Sequence, residues 1–251
     1  MRPELRLSDQ EAVPQQGAVP EGGAAPEEGA ALPAAVLWDM DGTLVDTEPY
    51  WIECEFALVE AHGGVWSHQH AQALVGQNLL TSARYIRRHG GVRWPAEAIV
   101  EHLLDGVVER VRRHVPWRPG ARELLTELNT LGVPCALVTM SYRRLAQTVI
   151  ETLPAGSFAT LVAGDDVTHG KPHPEPYLLA ARNLAVEPAE CVAIEDSPPG
   201  VASAVAAGVP ALGVEHLVPL PPSAGRQVID TLVGVTAADL GLLAERLRAA
   251  G

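Results

Sequence analysis

The stretch AAVLWDMDGTLVDTE, at residues 34–48, joins a short apolar run to a dense group of acidic side chains. The apolar run ends abruptly in charge, which is typical of a buried strand in a parallel sheet. Asp39 and Asp41 follow at once, so they would lie at the carboxyl end of that strand. Gly42 then permits a sharp turn of the backbone. We therefore expect the folded domain to begin here, with a candidate site at the end of its first strand.

Downstream of residue 116 the chain alternates between helical periodicity and short apolar runs. Helices are predicted at 120–131, 142–151, 175–184 and 199–207, and strands at 134–139, 159–163, 190–194 and 210–214. A last apolar segment, 228–235, and a terminal helix, 237–249, complete the pattern. Such alternation predicts an α/β fold in which an open parallel sheet carries helices on both faces.

The segment between the first strand and residue 116 has a different pattern. It contains four helical stretches and no convincing strand, at 49–62, 68–75, 79–89 and 95–114. We therefore predict an inserted all-helical cap domain at 46–115 and an α/β catalytic core made of 34–45 and 116–251. Residues 1–33 are rich in Pro, Gly, Ala and Glu without a hydrophobic period, so we predict a disordered tail there.

Composition excludes several classes of protein. The 251 residues are 47% hydrophobic and carry a net charge of −13, which disfavours nucleic acid and anionic membranes as partners. No apolar run reaches the length of a membrane helix. The three cysteines, far apart and odd in number, predict buried thiols in a reducing compartment. We expect a cytoplasmic enzyme, as a monomer or weak homodimer, with no nucleic acid or membrane partner.

Polar residues recur where the predicted strands end. Thr139, Met140 and Ser141 follow the second strand, Lys171 lies in the loop after the third, and Glu195 and Asp196 end the fourth. In an open α/β sheet, ligands bind outside the carboxyl ends of the strands. Carboxylates gathered at one point need a cation between them, and ligands that are all oxygen select a hard ion such as Mg²⁺.

This set of residues suits phosphoryl transfer. Asp39 is the natural nucleophile, and Asp41 can protonate the leaving oxygen and then activate water. Thr139 offers a hydroxyl near a helix start, where anions bind, or caps a helix beginning at Ser141. Lys171 supplies an ammonium group from a loop whose backbone Pro172 and Pro174 restrict. Further metal ligands come from the fourth strand, with Asp196 binding directly and Glu195 through water.

Four motifs in this order resemble the haloacid dehalogenase-like hydrolase superfamily. They are DMDGTLVDTE at 39–48, Thr139, GKPHPE at 170–175 and EDSPPG at 195–200. They look most like the subgroup with a helical cap after the first motif, which includes phosphoglycolate phosphatases, sugar phosphatases and β-phosphoglucomutase. The resemblance covers about residues 34–215.

That resemblance implies a role for each matching residue. Asp39 would be the nucleophile and Asp41 the general acid and base, while Thr139 and Lys171 would hold the phosphoryl group. Mg²⁺ would be bound by Asp39, Asp196 and the main-chain carbonyl of Asp41. Met140 stands where many relatives have a small or amide residue, and only its main-chain amide is expected to contact phosphate.

Two residues of the cap are candidates for contact with substrate. Gln77 precedes the helix at 79–89, in the segment that reaches the active site in the related proteins. Arg84 shares one face of that helix with Arg87 and Arg88, so the three would meet an anionic substrate or, alternatively, form a solvated face.

We therefore expect a Mg²⁺-dependent phosphatase that hydrolyses a small phosphorylated metabolite, a sugar phosphate or similar, through an aspartyl-phosphate. Two alternatives remain open, a phosphomutase of the β-phosphoglucomutase type and a non-catalytic regulatory protein on the same fold. No lysine occurs between Asp46 and Val115 to bind a second phosphate, which favours the phosphatase.

Overall fold

The computed structural model describes residues 31–75, 77–220 and 224–249. Its centre is a sheet of six parallel strands in the order β3-β2-β1-β4-β5-β6. The strands are β1 (Ala35–Trp38), β2 (Cys135–Val138), β3 (Thr160–Val162), β4 (Cys191–Glu195), β5 (Ala211–Val214) and β6 (Arg226–Ile229). The predicted open parallel sheet is confirmed, and the segment predicted at 228–235 supplies an edge strand that begins two residues earlier.

The register of the sheet aligns the ends of its three central strands. Trp38 of β1 lies opposite Leu137 of β2 and Ile194 of β4. β1, β2 and β4 are wholly buried and apolar except for Glu195 at the end of β4, as expected of strands covered on both faces. The polar residues at the carboxyl ends of these strands therefore meet at one edge of the sheet. This edge lies at β1, where the order of the strands in the sheet changes direction.

Four helices lie between β1 and the rest of the core. They are α1 (Glu48–Ala61), α2 (His68–Gln72), α3 (Leu79–His89) and α4 (Ala96–Arg113). In the part of residues 46–115 that the structure describes, no strand occurs. The two connections to this helical insertion run side by side, because the amide of Asp46 donates to the carbonyl of Pro116 at 2.8 Å.

The remaining helices cover the two faces of the sheet. They are α5 (Ala121–Thr130), α6 (Arg143–Ile150), α7 (Glu175–Leu184), α8 (Pro198–Ala206) and α9 (Ala237–Ala249). Leucines of α5, α6 and α9 pack with Trp38 on one face. Tyr177 of α7 and Val201 of α8 pack with Leu37 on the other. Because successive residues of β1 point to opposite faces, one short strand anchors both layers.

The predicted tail is only partly within the described residues, since residues 1–30 lie outside them. The folded part begins earlier than predicted, because Pro33 is buried and Ala31 lies against the last helix. A Cβ added at Gly241 of α9 would lie 2.0 Å from the carbonyl oxygen of Ala31. Because glycine has no side chain, the backbone of Ala31 can pack directly against α9 at this position.

Two smaller expectations concern cysteines and membranes. All three cysteines, Cys54, Cys135 and Cys191, are free and buried, as predicted. Among the helices of the described ranges, none combines the length and apolar character needed to cross a bilayer.

Candidate active site

Lys171 occupies the centre of the edge where the strands end. Its Nζ donates to Asp39 Oδ1 at 2.6 Å, to Glu195 Oε1 at 2.5 Å and to the carbonyl oxygen of Val138 at 2.8 Å. Only 4% of the lysine side chain is exposed. The ammonium group therefore joins the ends of β1, β2 and β4 at one point.

The electrostatics of this cluster favour an additional cation. Burial, followed by the charge of Glu195, raises the pKa of Asp39 well above its usual range. The same two causes raise the pKa of Asp196 to about 7. Burial alone would lower the pKa of Lys171, but Asp39 and Glu195 outweigh it and raise that pKa. One ammonium thus faces three carboxylates, and the excess negative charge in a buried place is costly without a further positive ion.

The donor set fits Mg²⁺. Asp39, Glu195 and Asp196 each offer an oxygen within 4.8 Å of the others. A Cβ at Gly42, where φ is +90°, would lie 2.0 Å from Asp196 Oδ2, so glycine leaves that carboxylate room beside the turn. All three donors are carboxylate oxygens at the ends of the adjacent strands β1 and β4, and oxygen ligands are what a hard divalent ion prefers.

Glu195 has a second task within this cluster. Its side chain is fully buried, and Oε1 accepts from both Lys171 and the Tyr177 hydroxyl, the latter at 2.5 Å. Oε2 accepts from the Ser197 hydroxyl at 3.2 Å. With both oxygens engaged, Glu195 holds the lysine in place, while Asp39 and Asp196 keep more freedom to bind a metal ion.

Asp41 is held by hydroxyl groups from three parts of the chain. Oδ2 accepts from Ser141 at 2.7 Å and from Thr139 at 3.2 Å, and Oδ1 accepts from Thr47. Thr47 directly precedes α1, so this carboxylate links the core to the helical insertion. The helix predicted to begin at Ser141 begins at Arg143 instead, and the Thr139 hydroxyl accepts from the Ser141 amide at 3.0 Å within the turn before it.

A cavity of about 760 Å³ opens over these groups. Most predicted site residues line it, namely Gln77, Asp39, Asp41, Thr139, Met140, Lys171 and Asp196. Glu195 lies beneath its floor. The Met140 side chain is buried, and its Sδ accepts from the Lys171 amide at 3.2 Å, so this residue also supports the lysine loop.

The structure does not bring Arg84 to this cavity. Ser82 of α3 lines it, and Arg84, two residues later, points to the other side of the helix because two residues turn a helix by about 200°. Arg84 is exposed and lines a separate groove of about 410 Å³ with Arg87, Arg88 and Arg93. The solvated-face interpretation of these arginines fits this placement, and contact between Arg84 and the substrate does not.

Several residues of the site were not identified from the sequence. Tyr177 lies within the apolar pattern of α7, which indicates only a core position, yet its hydroxyl donates to Glu195. Thr47 and Ser141 lie next to predicted site residues in the sequence, but their spacing did not indicate that both hydroxyls donate to Asp41. Glu55 of α1 and Ser82 of α3 line the cavity from the helical insertion.

A second group of possible metal ligands lies in the lysine loop. His169, His173 and Glu175 offer donor atoms within 4.8 Å of one another. Glu175, however, accepts from the amides of Thr168 and His169 at 2.8 and 2.9 Å, which lowers its pKa. Both imidazoles are more than half exposed. This group therefore stabilises the loop that presents Lys171.

Comparison with known proteins places these features in a family. The family model for haloacid dehalogenase-like hydrolases matches residues 33–208. Hexitol phosphatase A of Escherichia coli (strain K12) is 34% identical over 188 residues, which are 71% of this chain and 81% of that protein. A phosphorylated carbohydrates phosphatase of Thermotoga maritima is 31% identical over 193 residues, covering 72% and 85%.

A solved structure agrees in fold. CbbY from Rhodobacter sphaeroides in complex with phosphate superposes with a TM-score of 0.75 at 25% identity, over 83% of this chain and 99% of that one. Since the curated relatives are phosphatases, this chain is a phosphoric monoester hydrolase. With its six-stranded parallel sheet and the motifs that meet at its edge, the chain belongs to the haloacid dehalogenase-like hydrolase family.

Proposed function

We propose that this enzyme hydrolyses a small phosphorylated metabolite, a sugar phosphate or a similar compound, through an aspartyl-phosphate on Asp39 with the help of Mg²⁺. The observation that carries the proposal is the contact between Lys171 and Asp39 in a buried cluster of three carboxylates. Such a cluster would be unfavourable in a merely structural role, because it leaves uncompensated negative charge away from water.

Asp39 is arranged to act as a nucleophile. Lys171 binds its Oδ1, while Oδ2 has no hydrogen-bond partner among the described residues. Oδ2 attacks phosphorus, the bond from phosphorus to the ester oxygen breaks, and Asp41 donates a proton to that leaving oxygen. Asp41 then removes a proton from a water molecule, which attacks the phosphorus of the aspartyl-phosphate. Inorganic phosphate leaves and the Asp39 carboxylate is regenerated.

The same cluster would hold the metal ion and the phosphoryl group. Asp39, Asp196 and the main-chain carbonyl of Asp41 are the proposed Mg²⁺ ligands, with Glu195 adjoining them. When bound, the ion neutralises charge on the oxygens of the transferring phosphoryl group. Lys171, the Thr139 hydroxyl and the Met140 amide are the proposed contacts of the remaining phosphoryl oxygens.

The phosphatase is favoured over the phosphomutase by the charges around the cavity. A mutase must bind a bisphosphate intermediate and therefore needs a second group of cations. Of the described residues that line the cavity, Lys171 is the only lysine or arginine. The names of the two curated relatives, a hexitol phosphatase and a phosphorylated carbohydrates phosphatase, agree with a sugar phosphate or polyol phosphate substrate.

Phosphate release from a panel of phosphorylated metabolites tests this proposal. The enzyme is dialysed against EDTA and assayed before and after addition of Mg²⁺. We expect activity to fall at least about 100-fold in EDTA and to return with Mg²⁺, because oxygen ligands hold the ion that balances the cluster. Full activity in EDTA would contradict the proposed metal dependence, and no release from any compound would contradict the phosphatase itself.

A further inference from the structure

The helical insertion lines one end of the cavity, and this end is both acidic and buried. Six carboxylates line the whole cavity, those of Asp39, Asp41, Asp46, Glu48, Glu55 and Asp196. Lys171 is already paired with Asp39 and Glu195, and His216 lies 3.3 Å from Asp46. The described lining therefore offers no free cation to a second anionic group on a substrate.

Two buried polar side chains of this end have unused hydrogen-bonding capacity. Glu55 is 5% exposed. Its Oε2 accepts from the Trp66 indole at 3.2 Å, while Oε1 has no partner among the described residues. Ser82 is 6% exposed, and its hydroxyl has no partner within the described ranges. Both residues line the cavity, from α1 and α3 respectively. Neither oxygen is among the described polar atoms that are sealed from solvent without a partner, so both face the open cavity, where a polar ligand can bind them.

The protonation of the carboxyl groups at this end of the cavity suits an uncharged part of a substrate. Burial, only partly offset by the Trp66 hydrogen bond, raises the pKa of Glu55 to about 8. Burial and the charge of Asp41 raise the pKa of Glu48 to about 7. At neutral pH Glu55 therefore carries a proton in most molecules, and its carboxyl group can both donate to and accept from a hydroxyl.

Resting on the proposed phosphatase function, we propose that the substrate carries a single phosphate and that its remainder is an uncharged polyhydroxyl chain or ring, recognised through Glu55 and Ser82. A second phosphate or a carboxylate at this end would lose part of its hydration beside several carboxylates, and no free lysine or arginine of the described lining would compensate its charge. A hydroxyl would instead satisfy the two unused polar atoms. Glu55 and Ser82 are thus residues of specificity, distinct from those that act on phosphorus.

Four compounds test the charge preference. Sorbitol 6-phosphate carries one phosphate on a neutral polyol, and 6-phosphogluconate has the same chain length with a terminal carboxylate. Fructose 1,6-bisphosphate adds a second phosphate, and p-nitrophenyl phosphate has no hydroxyls. We expect kcat/KM for sorbitol 6-phosphate to exceed that of either compound with a second anionic group by at least about tenfold.

Variants of Glu55 and Ser82 test the contact itself. Glu55→Leu and Ser82→Ala should each lower the ratio of kcat/KM for sorbitol 6-phosphate to that for p-nitrophenyl phosphate by about three- to tenfold, mainly through KM, because each removes a hydrogen bond to substrate. Glu55→Gln keeps the size and one acceptor, so it should retain more of the ratio. Glu60→Gln, an exposed change on the same helix, is the matched control and should keep the wild-type ratio.

The outcomes separate the two proposals. Equal or better activity on 6-phosphogluconate or fructose 1,6-bisphosphate would overturn the inference while leaving the phosphatase intact. An unchanged ratio in Glu55→Leu and Ser82→Ala would overturn the role of these residues. Absence of phosphate release from all four compounds by the wild-type enzyme would contradict the proposed function itself.

Discussion

Lys171 shows how strongly one position can constrain a residue type. It is the only lysine in a chain with 18 lysine and arginine residues in total. Its compact ammonium has three donors, and three acceptors surround it, Asp39 Oδ1, Glu195 Oε1 and the Val138 carbonyl. The larger, planar guanidinium of arginine, which the chain uses at every other cationic position, does not match such a buried pocket.

The raised carboxyl pKa values make metal binding depend on pH. With a pKa of about 7, Asp196 holds a proton below neutrality in the metal-free protein, and this proton must leave before the carboxylate binds Mg²⁺. We therefore expect the apparent affinity for Mg²⁺ to increase by at least about tenfold between pH 5.5 and 7.5. Isothermal titration calorimetry across this range measures it. An affinity independent of pH would contradict the ionisation derived for this cluster.

Residues at the ends of the central strands could be predicted from the sequence, and the reason is geometric. Asp39 and Asp196 follow apolar runs whose parallel pairing brings their ends together. Tyr177 and Glu55 could not be predicted, because each occupies a helix position whose pattern fits ordinary packing or a solvated face. Their contacts with Glu195 and Trp66 depend on how helices dock, which local sequence does not specify.

Among the elements, the turn after β1 connects the sheet to its site. The amide of Gly42 donates to the carbonyl of Val45 at 2.7 Å, and this tight turn brings the backbone against Asp196. The helical boundaries were predicted within a few residues, because the residues that begin and end a helix are local features of the sequence. The short helix α2 was predicted to extend to 75 but ends at Gln72, because five residues give too weak a period to set a boundary.

A pair of glycine variants tests the importance of this turn. Gly42 and Gly132 both have positive φ values, +90° and +74°, so alanine strains the backbone at either position by about 1 kcal/mol. Only at Gly42 does the new Cβ meet another group, Asp196 Oδ2. We expect Gly42→Ala to lower kcat/KM at least about 100-fold and Gly132→Ala to leave it within about twofold. Similar activities in phosphate-release assays would show that the close approach to Asp196 is unimportant.

In the whole molecule, β1 fixes the amino-terminal end of the described fold in the sheet, and the proposed nucleophile Asp39 follows it directly. Pro33 is buried just before β1, and the backbone of Ala31 lies against Gly241 of α9. The amino-terminal end of the described fold is thereby tied to its carboxyl-terminal helix. The composition of residues 1–30 lacks the apolar period that packing of this kind requires.

Two truncations test where the folded unit begins. Deletion of residues 1–30 should leave Tm within a few degrees of the full chain and turnover within about twofold, because it removes no described contact. Deletion of residues 1–34 should lower Tm further, because it also removes Pro33 and the backbone beside Gly241. Thermal melts followed by circular dichroism measure both. A large loss of Tm already on deletion of residues 1–30 would place the boundary before residue 31, and an unchanged Tm in both truncations would place it after residue 34.

The most direct test of the central claim is phosphate release by Asp39→Asn in the presence of Mg²⁺. The amide keeps the size of the side chain but is a poor nucleophile and a poor metal ligand, so covalent catalysis is lost. We predict a loss in kcat of at least about 10³-fold with an unchanged circular dichroism spectrum, while the exposed control Asp230→Asn keeps wild-type turnover. Activity above one tenth of wild type in Asp39→Asn would contradict the assignment of Asp39 as the nucleophile.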